Sequence, residues 1–426
     1  MYKTRLRPAA GRTRRAAALT AMPLVLALAT LAAPAVAQED IPRGATVMDR
    51  ERPEVDPLGV QLGGFFVFPS LGVSGSYDDN VFATATNERE DFLTVVAPTV
   101  TVESTWSVHE LNLGTGARVG RYADYDSEDF EDYFVNADGT FEFTPRSNLN
   151  GTLAFNRLHE GRGDPDVGAT PDEFNLTEAG LRFFQGFNRV SAEVEGTVEH
   201  FDYDSPAGTA NRDIAVYTTS LRGDYMFADE YGAFARLTGN WREPGSTFRT
   251  FGAAPRYDRT SNGWQADIGM TFDLTGVTFG EVFAGYREQY FSDSRLDDVN
   301  GLSFGAEIVN NFTRLTTFTG RAESSIEETT ALGASSYLQN SFSLEADHEL
   351  RRNILLHAGA TYETYEYQGV DRDADRWGGS VGATWLANRH MHFDASYTYT
   401  DHSEAGVAAA NDWNRNLVML GLTLHL

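Results

Sequence analysis

The chain has 426 residues, with 34 Lys and Arg against 61 Asp and Glu and no cysteine. So acidic a protein is a poor partner for nucleic acid, and without thiols it has neither disulfides nor thiolate chemistry. Something else must hold a fold of this size, and a closed hydrogen-bonded sheet would do so.

Residues 1–37 begin with the basic "MYKTRLRPAAGRTRR" and continue with the apolar "AAALTAMPLVLALATLAA". They end in Ala35-Val36-Ala37, the small-x-small site of a secretory signal peptide, so cleavage is expected before Gln38. The polar residues that follow argue against a retained anchor. Arg14 and Arg15 resemble a twin-arginine signal only weakly. Six of the 34 basic residues leave with this segment, so 28 remain against 61 acidic ones, a formal charge of −33. The only lysine, Lys3, leaves too. No later stretch approaches the ~20 apolar residues of a spanning helix.

Residues 38–64 are polar and contain proline, and are too short for a plug domain. Two readings stand: a disordered periplasmic lead-in, or a docking or constricting segment held by Arg50 and Arg52.

From residue 65 to 426 the sequence alternates apolar and polar with period two, between turn residues. Strands are expected at 65–77, 93–105, 109–122, 132–144, 148–158, 174–185, 189–202, 213–226 and 230–242. The second half adds 262–273, 277–290, 301–310, 314–326, 338–348, 353–367, 376–386, 390–400 and 414–426. Eight short connections, such as "PRSN" and "ANR", alternate with nine longer ones, such as "HEGRGDPDVGATPDE". Short turns on one rim, long polar loops on the other and an even strand count point to one architecture. It is an all-β, antiparallel transmembrane β-barrel of the outer-membrane type, with about 18 strands. The short turns would then face the periplasm. A soluble sandwich also alternates, but strand length, strand number and aromatics near strand ends argue against it.

The faces separate cleanly. In "GWQADIGMTFD", Trp264, Ala266, Ile268, Met270 and Phe272 oppose Gln265, Asp267, Gly269, Thr271 and Asp273. A barrel of 16–18 strands leaves an aqueous lumen, so the polar row faces water. Inward acids are then Glu103, Asp138, Glu142, Glu178, Glu193, Glu195, Glu199, Asp224, Asp267, Glu281, Glu307, Glu323, Glu345, Asp347, Glu363 and Asp394. Inward arginines are Arg118, Arg182, Arg222, Arg236, Arg242, Arg287 and Arg321. Opposed charges at a narrow point select solutes by charge, and the acid excess favours cations or neutral sugars. Few aromatics are expected inward (Phe201, Phe234, Phe283 and Tyr365), so a continuous sugar-stacking track is not evident.

The final strand, "NLVMLGLTLHL", sets Val418, Leu420, Leu422, Leu424 and Leu426 on one side. In a soluble protein this would be an aggregating edge; in a barrel it pairs with the first strand and faces lipid. Outer-membrane lipids, lipopolysaccharide and the barrel-assembly machinery are the implied partners. Such barrels commonly end on an aromatic residue, and leucine departs from that habit.

"VMDRERPEVDPLGVQLGGFFVFPSLGVSGSYDDNVF", followed by "FLTVVAPTVTVES", resembles the β-barrel porin type 2 family. The residues concerned are Arg50, Arg52, Pro53, Asp56, Pro57, Gly59, Pro69, Tyr77, Asp78, Asn80, Val81 and Phe82. The resemblance covers about the first quarter of the chain. It implies outer-membrane passage, often linked to exopolysaccharide or capsule export, and no catalytic residues.

Chemistry elsewhere is thin. His390 and His392 fall two apart on an expected strand, but two ligands do not make a zinc site. Asp371, Asp373, Asp375 and Gly378 resemble a calcium loop without its closing glutamate. "GTGARVG" does not match a dinucleotide fingerprint. No catalytic, cofactor or metal site is expected. The leading reading is a passive, water-filled channel for small solutes in the outer membrane of a Gram-negative bacterium. Its rivals are an exopolysaccharide conduit working with export machinery, and an outer-membrane enzyme or structural barrel.

Overall fold

A computed structural model describes residues 45–165, 172–204, 212–245, 257–274, 276–406 and 412–426. The expected signal peptide lies outside them. A short strand, β1 (Val60–Leu62), precedes β2 (Phe65–Asp78), β3 (Asp91–Ser104), β4 (Glu110–Tyr122), β5 (Phe130–Thr144) and β6 (Ser147–His159). Then come β7 (Glu173–Gly186), β8 (Val190–Tyr203), β9 (Ile214–Ala228), β10 (Tyr231–Pro244), β11 (Ser261–Leu274) and β12 (Thr278–Phe291). The last seven are β13 (Val299–Thr313), β14 (Thr316–Glu327), β15 (Tyr337–Arg351), β16 (Ile354–Tyr367), β17 (Arg372–Asn388), β18 (Met391–Gly406) and β19 (Trp413–His425).

From β2 onward each strand pairs antiparallel with the next, and β19 returns to β2, Leu417–His425 against Ser70–Asp78. The result is a closed 18-stranded antiparallel barrel. Every strand expected from the alternation is present. The largest shifts are at β17, which starts at Arg372 rather than 376, and β18, which runs to Gly406 rather than 400. These ends pair with each other, Arg372 opposite Gly406, as a hairpin extending past the expected rim.

Alternation becomes two surfaces. Ile268 is 73% exposed on the outer wall, while its neighbour Asp267 is 2% exposed on the inner one. Leu237, Leu302, Leu344, Val381 and Leu420 continue the outer apolar row. Directly opposed residues share a face, so Glu193, Arg222, Arg236 and Asp267 form one inward row across β8 to β11.

Proline inside a strand is ordinarily disruptive because it cannot donate to the ladder. Pro69 sits where β19 runs out, and its carbonyl accepts the Leu426 N–H at 3.4 Å. The missing donor therefore falls at the end of the ladder. Beyond it β2 stays paired with β3, and on its other edge β1 turns back through Gly63 to pair with Phe65–Val67. At three residues, β1 is too short to show in a period-two pattern. The barrel has no single apolar core among the described residues. Its apolar clusters lie near the ends of the lumen: Val47, Val55, Leu355 and Leu386 toward the short-turn rim, and Tyr337, Tyr365 and Tyr367 toward the long-loop rim.

Candidate functional site

The inner wall is a set of arginine–carboxylate networks. Arg222 on β9 bonds Asp224 on its own strand and reaches Glu281 on β12, with contacts of 2.9 and 2.8 Å. Arg236 bonds Asp267 at 2.9 Å. Arg321 lies between Glu307 (3.1 Å) and Glu345 (3.2 Å), and Arg182 faces Glu193 at 3.7 Å. Arg118 approaches Asp132 at 3.8 Å, and Asp394 accepts the Thr384 hydroxyl at 2.7 Å. Glu195 lies opposite Arg182, and Glu199 lies opposite Glu178, both facing the lumen. Arg287 is also on this face, opposite Gly301, yet forms no ion pair among the described residues. All twelve residues singled out in the sequence as pore-lining thus share the inner wall, in separate patches along β4 to β18.

Aromatics were underestimated. Besides the four expected inward, Phe130, Tyr203, Phe291, Tyr337, Tyr367 and Trp413 occupy the inner face. Tyr337 and Trp413 stand at strand starts, one residue outside the expected bounds, where covering loops allow apolar inward residues. Three of these rings lie over an inward glycine: Phe130 at Gly120, Phe234 at Gly269 and Phe283 at Gly305. Gly269 is opposite both Phe234 and Phe283, and a Cβ there would meet Phe234 at 2.4 Å. Arg222 and Arg236 then stack on these rings, with guanidinium-to-centroid distances of 3.8 and 4.4 Å. Inward glycines opposite inward aromatics are the signal that sequence reasoning missed. Gly269→Val should push Phe234 off the wall at about 1–3 kcal/mol, the ordinary cost of overpacking, and a lower denaturation midpoint would show it. Unchanged stability would mean that the ring is free to move.

The start of the β6–β7 loop, residues 160–165, folds inward at the long-loop end. Arg162 clamps Glu128 with two bonds of 2.7 Å and lies over Phe82. Beyond it, the Gly163 carbonyl accepts from Arg376 of β17, and a Cβ on Gly163 would be 3.0 Å from Trp413 of β19. The loop thus ties the β2–β5 side to the inner wall of β17 and β19. Its base is held by Arg212, which bonds Glu160 at 2.7 Å. Burial pushes the Glu160 carboxyl above its usual range, against the opposing effect of that arginine. Behind the loop lies a cavity of about 330 Å³ between Glu199, Tyr203, Arg242 and Tyr337. Deeper in the wall lies one of about 680 Å³ lined by Arg236, Glu281, Arg287 and Glu323.

At the short-turn end, residues 45–59 run along the inner rim from β13 to β2. Asn311 donates to the Ala45 carbonyl at 3.1 Å, and the Val47 N–H donates to Thr317 at 2.9 Å. Arg52, 3% exposed, bonds the Val47 carbonyl at 2.7 Å and Glu349 at 3.2 Å. Arg389 donates to the Pro53 carbonyl at 3.0 Å, and Gly59 abuts Phe68. Arg50 donates to the Arg314 carbonyl. Burial, with Arg52, Arg352 and Arg314 nearby, holds its guanidinium below the ordinary value, although Glu349 pulls the other way. Residues 45–59 of this segment are thus bonded to the inner rim, Arg50 and Arg52 among the contacts. His392 belongs to this dock through a 3.2 Å contact with the Val55 carbonyl. His390 sits in the turn before β18 and contacts the His425 carbonyl, at the short-turn rim.

Residues 52–426 match the family described as "Putative beta-barrel porin 2". The chain belongs to that family. No curated protein matches this porin. Solved structures to which the porin is similar include OpdK of Pseudomonas aeruginosa, at 8% identity and TM-score 0.44, covering 84% of this chain and 99% of that one. Another is P. aeruginosa OccK2 (OpdF) in complex with glucuronate, at 11% identity and TM-score 0.46, covering 84% and 98%. A third is a BenF-like porin from Pseudomonas fluorescens Pf-5, at 10% identity and TM-score 0.46, covering 84% and 99%.

Proposed function

We propose that this porin-family barrel is a passive, water-filled channel of the Gram-negative outer membrane that passes small polar solutes and prefers cations. In this reading residues 1–37 direct export and are removed, and lipopolysaccharide surrounds the long-loop rim. The observation that carries it is the charge left over on the inner wall. Arg118, Arg182, Arg222, Arg236, Arg242 and Arg321 each meet a carboxylate. Glu103, Glu195, Glu199 and Glu323 face the lumen with no basic partner within 4.0 Å among the described residues. Unmatched carboxylates beside water raise the local cation concentration. The polysaccharide-export reading gains no support from the family match or from the lumen.

Purified protein in a planar bilayer should open stable conductances, with reversal potentials toward cations at low salt. The preference should fade near 1 M salt, where the Debye length is about 3 Å. Neutralising Glu195 and Glu199 to glutamine should move the reversal potential toward anions. Glu193→Gln alone should move it less, because Arg182 already balances that charge. A sealed barrel, or an anion preference in the unmodified protein, would overturn the reading.

A further inference from the structure

The short-turn rim does not carry its charge evenly. Two neighbouring turns, 145–146 between β5 and β6 and 187–189 between β7 and β8, present Arg146 and Arg189. Both are exposed, with no ion pair among the described residues. The turns are linked, because the Gly186 N–H donates to the Arg146 carbonyl at 2.7 Å. Neither turn contains a carboxylate. Glu142 and Glu193, on the adjoining strands, share an inward row, and Glu193 faces Arg182 there. Beyond the two turns stand Glu110 on one side and Asp229 and Glu230 on the other, so the arginine pair is isolated. The opposite arc of the rim differs. Arg314, Arg351, Arg352 and Arg389 lie on its turns, but residues 45–59 bring Glu51 and Glu54 there. Arg352 comes within 4.0 Å of Glu54, and Arg389 holds the Pro53 carbonyl.

Above the two arginines the outer wall is apolar. Phe141, Leu149, Phe183, Val194, Leu221 and Leu237 are opposed in succession from β5 to β10, so they form one outward row. The row starts three residues from the end of β5 and reaches the middle of β9 and β10. Phe143 continues it toward the turn, 56% exposed and 6.3 Å from Phe183. These rings are phenylalanines. Interfacial anchors are ordinarily Trp or Tyr, whose polar tips reach the headgroups. Phenylalanine has no such tip, so on this stretch of rim the arginines supply the polar level.

We propose that Arg146 and Arg189 form a binding site for the phosphate of one anionic phospholipid, whose acyl chains lie on Phe143, Phe183 and Val194. The planar guanidinium fork fits a phosphate, and basic residues at a membrane surface favour anionic headgroups. A zwitterionic lipid would bring its ammonium beside two uncompensated arginines, which repel it; an anionic lipid brings none. The site rests on the reading of the chain as an outer-membrane barrel, but not on the barrel conducting ions.

Native mass spectrometry of the full protein tests the proposal, with release from a neutral detergent holding equal amounts of dioleoyl phosphatidylglycerol and dioleoyl phosphatidylethanolamine. One phosphatidylglycerol per chain should stay bound after the other lipid is stripped. Its affinity should fall at least tenfold in the double variant Arg146→Gln with Arg189→Gln. Asn188→Glu keeps both arginines and sets a carboxylate beside them at an exposed turn position, so it should also lower affinity at least tenfold. Arg314→Gln with Arg351→Gln, on the opposite arc, should change it by less than about twofold. Heat-dependent migration on a gel shows that each variant is folded. Equal retention of the two lipids, binding unchanged in the first double variant or in Asn188→Glu, or an equal loss from the opposite arc would overturn the proposal. Conductance without a preference for phosphatidylglycerol would refute this site and leave the channel reading standing. The preference in a barrel that passes no current would do the reverse.

Discussion

Replacing Arg52 with alanine is expected to free residues 45–56 from the barrel mouth at a cost of about 3 kcal/mol. Arg52 gathers the segment by bonding the carbonyls of Val47 and Arg50, and it reaches Glu349 on the wall. The pair is almost wholly buried, with side-chain exposures of 4% and 7%. Removing one partner of a buried ion pair typically costs 3–5 kcal/mol, because the remaining charge is stranded. The low end applies here, since lumen water can reach Glu349 once the segment leaves. Proteolysis within residues 45–56 should rise steeply, and single-channel conductance should increase as the mouth widens. Removing both charges, Arg52→Met with Glu349→Leu, should restore much of the stability, because no stranded charge remains. If Arg52→Ala leaves protease resistance and conductance unchanged, the remaining contacts at Thr317, Arg389 and His392 suffice to hold the segment.

That dock shows where sequence reasoning stops. The strands were legible because each repeats the same two-way choice between lipid and water over a dozen residues or more. Ile268 and Asp267 differ as strongly in hydropathy as they do in burial. The inward charges followed from the same choice, since a residue's face is fixed by parity once one neighbour is assigned. The contacts that give the lumen its shape are not periodic. Val47 meets Thr317 across 270 positions of sequence, and Arg376 meets Gly163 across 213. Nothing local to either partner announces the other. The packing of the inward aromatics was missed for a related reason. Phe234 is readable as inward, but its lying flat depends on Gly269 of the next strand, and register cannot be read from one strand. The β13–β14 ladder stops at Gly305 and Glu323, a failure of pairing that neither strand shows by itself.

The outer wall supports the sharpest test of face assignment. Ile268 is near the middle of β11, opposite Ala235 and Ala284, and 73% of it is exposed. A position so far from both strand ends lies near the bilayer midplane, where arginine on a lipid face costs about 2–4 kcal/mol. Ile268→Arg should therefore lower stability by that amount in a reversible folding assay with lipid vesicles. Leu424→Arg should cost about 0–1 kcal/mol, because Leu424 pairs with Met391 at the short-turn rim and its arginine can reach the interface. Thr271→Arg provides the inner-face comparison on β11. Thr271 lies opposite Gly232 and Glu281 on the lumen side, so an arginine there meets water and a carboxylate. Its cost should be well below that of Ile268→Arg, and its effect should appear in the reversal potential, shifted toward anions. Equal costs at 268 and 271 would mean that the two rows of β11 do not face different solvents, and the barrel's assignment of lipid and lumen would fail with them.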